Sequence, residues 1–197
     1  FKKLRAIYRI FEHAHEERNT IGDVTPLVLI QKAIDRQQKK SPYSSSVWTW
    51  ACFEGHEDAV DFLLENYNIN DGLRYENEEG QTGFHAASAG DKSNMIVKLA
   101  NLQVDVNAQD LQRRSALHIA GEHGFKTVMN ALFECNADPT LKDGSGGTFF
   151  HSAAKNRQVQ AVFQVRFRPP VDSRDKFGNT MLHLAAKNND LPGVKCL

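Results

Sequence analysis

Apolar residues recur along this chain in short runs with helical spacing. The runs "AVDFLL" (59–64), "MIVKLA" (95–100), "VMNALF" (128–133) and "AVFQVRF" (161–167) are separated by polar stretches of similar length. Within a run the apolar positions fall three and four apart, as in Met129, Leu132 and Phe133, which places them on one helix face. Ahead of each run lies a second, smaller-residue segment: "SVWTWACFEG" from Ser46, "TGFHAASAG" from Thr82, "SALHIAGEHG" from Ser115, "TFFHSAAKN" from Thr148 and "TMLHLAAKN" from Thr180. Each opens on Ser or Thr, whose hydroxyl suits a helix N-cap, and continues with small residues that allow close helix approach. The pattern predicts pairs of helices, with Gly55 and Gly124 at the turns inside two of the pairs.

The pairs repeat on a fixed period. The intervals between Thr82, Ser115, Thr148 and Thr180 are 33, 33 and 32 residues; Ser46 lies 36 before Thr82. The polar segments "NEEGQT", "DLQRRS", "DGSGGT" and "DKFGNT" link successive copies. Each begins with Asn or Asp, and Gly follows three residues later in all but one, which is turn chemistry at a constant offset. A period of this length predicts a stacked solenoid, in which each copy contacts only its neighbours.

These anchors resemble the ankyrin-repeat family, whose pattern runs roughly D-x-x-G-x-T-P-L-H-x-A-A-x-x-G-H, then an apolar helix, then G-A-D-x-N. The match is carried by "DKFGNTMLHLAA" from Asp175, "RSALHIAGEHG" from Arg114, "VDVNAQD" from Val104 and "NADPTLKD" from Asn136. The resemblance implies an all-α ankyrin-repeat solenoid over 44–197, with β-hairpin-like tips and copies at about 44–76, 77–109, 110–142, 143–174 and 175–197. The chain departs from the pattern in several places. Val47, Gly83, Ala116, Phe149 and Met181 replace the proline, Thr49 replaces a histidine, and Arg157 stands where glycine is usual. "RFRPPVDSRD" makes an irregular hairpin, and copies one and four are expected to be less stable. The fifth copy stops within its second helix; since a solenoid end needs a polar cap, further chain is expected beyond Leu197.

Residues 1–43 follow a different pattern. Leu4, Ile7, Tyr8, Phe11 and Ala14 form one stripe, and a second helix starts near Thr25-Pro26 and runs to about Gln38. This segment reads as a helical cap or degenerate repeat, the alternative being an independent element joined through "KKSPYSSS".

Composition narrows the function. The 197 residues carry 24 Lys/Arg and 24 Asp/Glu, a formal net charge of zero, which argues against a nucleic-acid binder. Residues 1–45 hold nine basic and five acidic residues, a mild surplus that a solvated helix face explains. Cys52, Cys135 and Cys196 are odd in number and widely spaced, so neither a disulfide framework nor a CxxC metal motif is expected. That usage points to a reducing, cytoplasmic setting, with the nucleus as an alternative. The chain has no run of 18 apolar residues, hence no membrane insertion is expected.

The cluster His118, Glu122 and His123 invites a metal or catalytic reading. Geometry opposes it: His118 and His123 are five apart and point to different helix faces, and equivalent histidines one helix spacing apart cannot share an ion. The ankyrin resemblance implies instead that His85, His118, His151 and His183 bond to backbone and to the opening Thr or Ser. "DGSGGT" (143–148) lacks the Lys and spacing of a nucleotide loop, and Cys52 sits at a small-residue core position. Trp48 and Trp50, two apart, are expected to split between the core and a neighbouring face. No cofactor, metal or catalytic arrangement is expected, so the chain is read as a non-enzyme.

The expected function is protein–protein interaction by a monomer. The alternative is a regulatory or recruiting segment of a larger enzyme, channel or secreted effector. In the family, partners contact the hairpin tips and inner helices. Carried onto this chain, the tips supply Glu78, Glu79, Gln81, Leu111, Gln112, Arg113, Arg114, Ser145, Gly147, Lys176, Phe177 and Asn179. The inner helices supply Phe53, Glu54, Ala89, Glu122, His123, Lys155, Asn156, Lys187 and Asn188. Acidic Glu76, Glu78 and Glu79 lie near copy two, while Arg113, Arg114 and Lys142 lie further on, so the partner is expected to be bipolar, or to dock mainly on the basic part through acidic residues.

Overall fold

The computed structural model describes residues 47–66, 76–102, 104–167 and 170–197. The expected cap at 1–43 lies outside the described residues, as does most of the longer connection after the first pair. The described residues form ten helices and no strand, arranged in consecutive pairs. The first helices are α1 (Val47–Glu54), α3 (Gly83–Ala89), α5 (Ala116–His123), α7 (Phe149–Lys155) and α9 (Met181–Lys187). Their partners are α2 (Glu57–Asn66), α4 (Ser93–Asn101), α6 (Lys126–Glu134), α8 (Val159–Phe163) and α10 (Leu191–Cys196).

Each first helix packs on the next, α1 on α3, α3 on α5, α5 on α7 and α7 on α9, so these helices form one continuous row. Small residues make that approach possible: Ala51, Ala86, Ala87, Ala120, Ala153, Ala154 and Ala185 are all fully buried. The second helices close the core from the other side with Val60, Ile96, Leu99, Val128, Leu132, Val159 and Val162. Trp48 and Trp50 are both buried, at 3% and 6% exposure, and meet different neighbours: Trp48 lies against Gly83 of α3, and Trp50 against His56.

The turn inside each pair uses the left-handed region at a fixed register: Gly55, Asp91, Gly124, Arg157 and Asn189 all have φ between 54° and 77°. In the second pair the glycine does not take this role. Gly90 has φ −86°, and Asp91 is left-handed instead. The reason is packing, because a Cβ on Gly90 would lie 2.0 Å from the Phe53 carbonyl oxygen. Gly90→Ala should therefore destabilise by about 1–3 kcal/mol through forced backbone displacement. Urea unfolding checks this; a midpoint equal to wild type would contradict the contact.

The fourth pair differs from its sequence pattern. Its apolar run continues to Phe167, yet α8 ends at Phe163. Pro169 and Pro170 follow in sequence, and a residue before proline is driven out of helical conformation. Phe167 is recovered for the core by another route. Its ring stacks on Phe133 and Phe150, with centroids 5.7 and 6.0 Å apart, while Phe150 lies 3.9 Å from Phe149. Four aromatic rings thus replace the missing helical turn. Gly121 makes room for them, since a Cβ there would meet the Phe149 carbonyl oxygen at 2.9 Å.

Candidate functional site

The tips between pairs are built on one polar residue each. Asp110 Oδ1 accepts from the backbone N–H of Gln112 and Arg114 at 3.0 and 2.8 Å. Asp143 Oδ1 accepts from Ser145 and Gly147, both at 2.9 Å. Asp175 Oδ1 accepts from Phe177 and Asn179 at 2.9 Å, and Asn77 Oδ1 from Glu79 and Gln81 at 3.0 and 2.9 Å. These four residues are at most 9% exposed. Burial alone would raise the Asp143 carboxyl, but the Ser145 hydroxyl and the Gly147 N–H bind the charged form, helped by Lys155 and His118, and hold it below its ordinary value.

Neighbouring tips are joined directly. Leu111 N–H donates to Glu79 O at 3.0 Å, Gly144 N–H to Gln112 O at 2.8 Å, and Lys176 N–H to Ser145 O at 3.0 Å. The turn's left-handed residue is Gly80, Arg113, Gly146 and Gly178 in succession. Arg113 is thus the one non-glycine at that register, with φ 60° and an exposed side chain.

The histidines clamp tip to helix. Thr82 N–H donates to His85 Nδ1 at 3.1 Å, and Thr82 Oγ1 lies 3.0 Å from the same nitrogen. Because Nδ1 accepts an amide proton, the ring's own proton sits on Nε2, which donates to Arg114 O of the next tip at 2.8 Å. Ser115 and His118 repeat the arrangement toward Gly147 O at 3.2 Å, and Thr148 and His151 toward Ser173 O at 3.1 Å. Burial pushes all three imidazoles below their ordinary pKa, outweighing the carbonyls and nearby carboxylates that favour the cation. Among the described residues, no group of three or more His, Cys, Asp and Glu is placed to hold a metal ion. Cys52 is fully buried and its thiol is pushed up by that burial, which suits packing.

Three residues expected at the contact surface are also bonded inside the tips, Gln81 buried and Arg114 and Asn179 half-buried. Gln81 is 2% exposed and its Oε1 accepts from Asn77 Nδ2 at 2.8 Å. Arg114 Nε and Nη2 reach Asp110 Oδ2 at 2.9 and 2.8 Å, and Nη1 reaches Glu122 at 3.6 Å. Asn179 Nδ2 lies 3.3 and 3.2 Å from the two Asp175 oxygens. All sit four residues after the tip's leading Asn or Asp, where the chain folds back over it; the shared offset was visible in sequence. Gly147, at the same offset, is also buried.

The other candidates lie at or near the surface. Leu111 and Phe177 are 75% and 79% exposed, the most exposed large apolar side chains described. Glu78, Gln112, Arg113, His123, Lys155, Asn156, Lys176 and Lys187 are exposed, while Glu79, Glu122 and Ser145 are half-buried. His123 stacks on Phe125, with centroids 5.2 Å apart. Lys155 Nζ donates to Ser145 Oγ at 2.9 Å, and Lys176 Nζ to Gly144 O at 2.6 Å. Asn156 Nδ2 donates to Ser152 O and Asn188 Nδ2 to Lys155 O, so both amides are committed to helix ends. At the inner helices Glu54 is exposed, while Phe53 and Ala89 are half-buried.

Paired helices in a single row, joined by hydrogen-bonded tips, define a helical repeat solenoid that offers an extended surface. A family model described as ankyrin repeats, in three copies, matches residues 48–143. Residues 48–143 are ankyrin repeats and are, at that level, a protein-interaction module. It is similar to Palmitoyltransferase AKR1 of Lachancea kluyveri, 29% identical over 92% of this chain and 27% of that protein. It is also similar to the Nuclear factor NF-kappa-B p105 subunit of Gallus gallus, 24% identical over 89% of this chain and 18% of the relative. Inversin of Mus musculus is 29% identical over 75% of this chain and 14% of its own length. The chain thus spans about a quarter or less of these relatives. No described helix is long and apolar enough to cross a membrane.

Proposed function

We propose that the chain binds a partner protein along its concave face, through the tips and the first-helix row of the copies at about 110–142, 143–174 and 175–197. The observation that carries this is the exposure of Leu111 and Phe177 at 75% and 79%, each on a tip held by its own buried carboxylate. Large apolar side chains on rigid turns lose little freedom on binding, which is what contact anchors need. Arg113, Lys176 and Lys187 surround them with positive charge, and Lys155 adds to it although it also faces Asp143 at 3.7 Å. Arg114 does not belong to this set, because Asp110 and Glu122 neutralise it. Reversing it would turn a negative charge on the buried Asp110 carboxylate and disrupt the tip.

The test is affinity capture with mass spectrometry, comparing wild type with the Leu111→Ser/Phe177→Ser variant. Partners retained by wild type should be lost from the variant; an identical set on both would sink the map.

Arg113 separates binding from stability. Left-handed backbone costs a non-glycine residue about 1–2 kcal/mol, part of which glycine's greater unfolded-state freedom offsets. Arg113→Gly should raise stability by up to about 1 kcal/mol while weakening capture. A variant that is less stable than wild type would contradict the turn assignment.

A second reading places the same array as the recruiting segment of a larger protein in the cell. Its support is the similarity to palmitoyltransferases: AKR1 of Eremothecium gossypii is 32% identical over 75% of this chain but only 21% of its own length. On this reading catalysis lies outside the array, and the array alone transfers no acyl group in an assay with labelled palmitoyl-CoA. Acyl transfer by this chain would overturn it.

A further inference from the structure

We propose that the partner segment is extended and acidic, and that it carries two apolar side chains about five or six residues apart. This rests on the reading of the tips as a protein-binding surface and specifies what they recognise. Leu111 and Phe177 stand two copies apart. With helix rows spaced about 8–10 Å, they are separated by about 16–20 Å, which an extended chain spans in about five or six residues at roughly 3.3 Å each.

Between the two anchors lies the tip Asp143-Gly144-Ser145-Gly146-Gly147-Thr148, where Ser145 is the one side chain beyond the buried Asp143 and Thr148. The two apolar knobs therefore stand at either end of low ground made of glycine. The backbone bonds Gly144 N–H to Gln112 O and Lys176 N–H to Ser145 O make the three tips one continuous ledge. A compact partner surface would have to bridge this dip, whereas an extended strand can lie along it.

Charge selects the sign of the strand. Lys155 and Lys176 lean over the glycine tip from its two sides, bonded to Ser145 Oγ and Gly144 O. Arg113 is exposed beside Leu111, and Lys187 extends the positive strip past Phe177's copy. Of the carboxylates in this region, Asp143 and Asp175 hold their turns and Glu122 faces Arg114, while Asp172 is exposed and offsets part of the positive charge near the fifth tip. The exposed acids Glu76 and Glu78 lie at the other end of the tip row, beyond Leu111, and would repel an acidic strand that ran on past that anchor. Complementary charge of this kind sets orientation and rejects wrong partners.

The experiment is selection of a phage-displayed random dodecapeptide library on the wild-type chain, with counter-selection on Leu111→Ala/Phe177→Ala. Enriched peptides should be net acidic, with two large apolar residues five or six apart. In fluorescence anisotropy the best of them should bind the double variant at least tenfold more weakly. Arg113→Glu/Lys176→Glu should weaken binding and flatten its salt dependence, and single-stranded DNA of equal charge should not compete. Basic or unpatterned winners, competition by the DNA, or no enrichment would overturn the proposal. If lysate capture still depends on Leu111 and Phe177 in that case, the protein-binding reading stands and only the extended acidic segment falls. If capture is also insensitive to them, both fall.

Discussion

Acidification from pH 7.5 to 5.5 should lower the unfolding free energy. His85, His118 and His151 are at most 1% exposed, and each uses Nδ1 to accept a backbone N–H. Protonating Nδ1 destroys that bond and places a cation in the core. Burial lowers the folded-state pKa, whereas the unfolded imidazole titrates near 6.5. The unfolded chain therefore binds more protons between the two values, and stability falls as pH drops below about 6.5. Each histidine contributes a slope of at most about 1.4 kcal/mol per pH unit. Stability is complete above that pH. Asp143 and Asp175, whose carboxyls are held below their ordinary values, act only in a lower window, beneath the usual carboxylate range. Urea titrations at the two pH values decide the matter, and equal midpoints would show that the clamps carry no proton linkage. The effect should shrink in His118→Gln, which removes one titrating clamp.

Phe150→Ala should cost about 3–5 kcal/mol, the range for truncating a buried aromatic. Phe150 is 2% exposed and touches Phe149 and Phe167, so its loss opens the cluster that stands in for the short α8. Phe167 is then left without one of its two stacking partners, and the segment after α8 loses its hold on the core. The same truncation at Leu182, which is 46% exposed at the equivalent position of the fifth copy, should cost much less. Comparing the two by urea unfolding isolates the cluster from the general effect of removing a side chain. Equal losses would contradict the role given to it.

The period of 33 made the helix pairs and the capping Ser and Thr legible before any coordinates, because both depend on short-range spacing, which repetition amplifies. The histidine bonds to backbone and to the opening Thr or Ser came from the ankyrin resemblance. What depends on contacts between copies, or on a polar side chain folding back within its own tip, was not legible. Gly90 looks like a turn glycine, yet it is there because Phe53's carbonyl crosses it. The apolar run to Phe167 reads as one helix, yet its last residues pack from a loop. Gln81, Arg114 and Asn179 look like surface groups because they are polar and sit on turns. Their shared bond to the leading Asn or Asp emerges only when the four tips are laid side by side.

Whether the tips are the contact surface can be decided by site-specific photo-crosslinking. A benzophenone side chain would be placed in turn at Leu111, at Phe177 and at Val97, which is 47% exposed on α4 in the second-helix set. Irradiation in lysate should give a shared partner adduct from positions 111 and 177 and none from 97. Adducts formed only from position 97 would contradict the account and move the binding surface to the second helices.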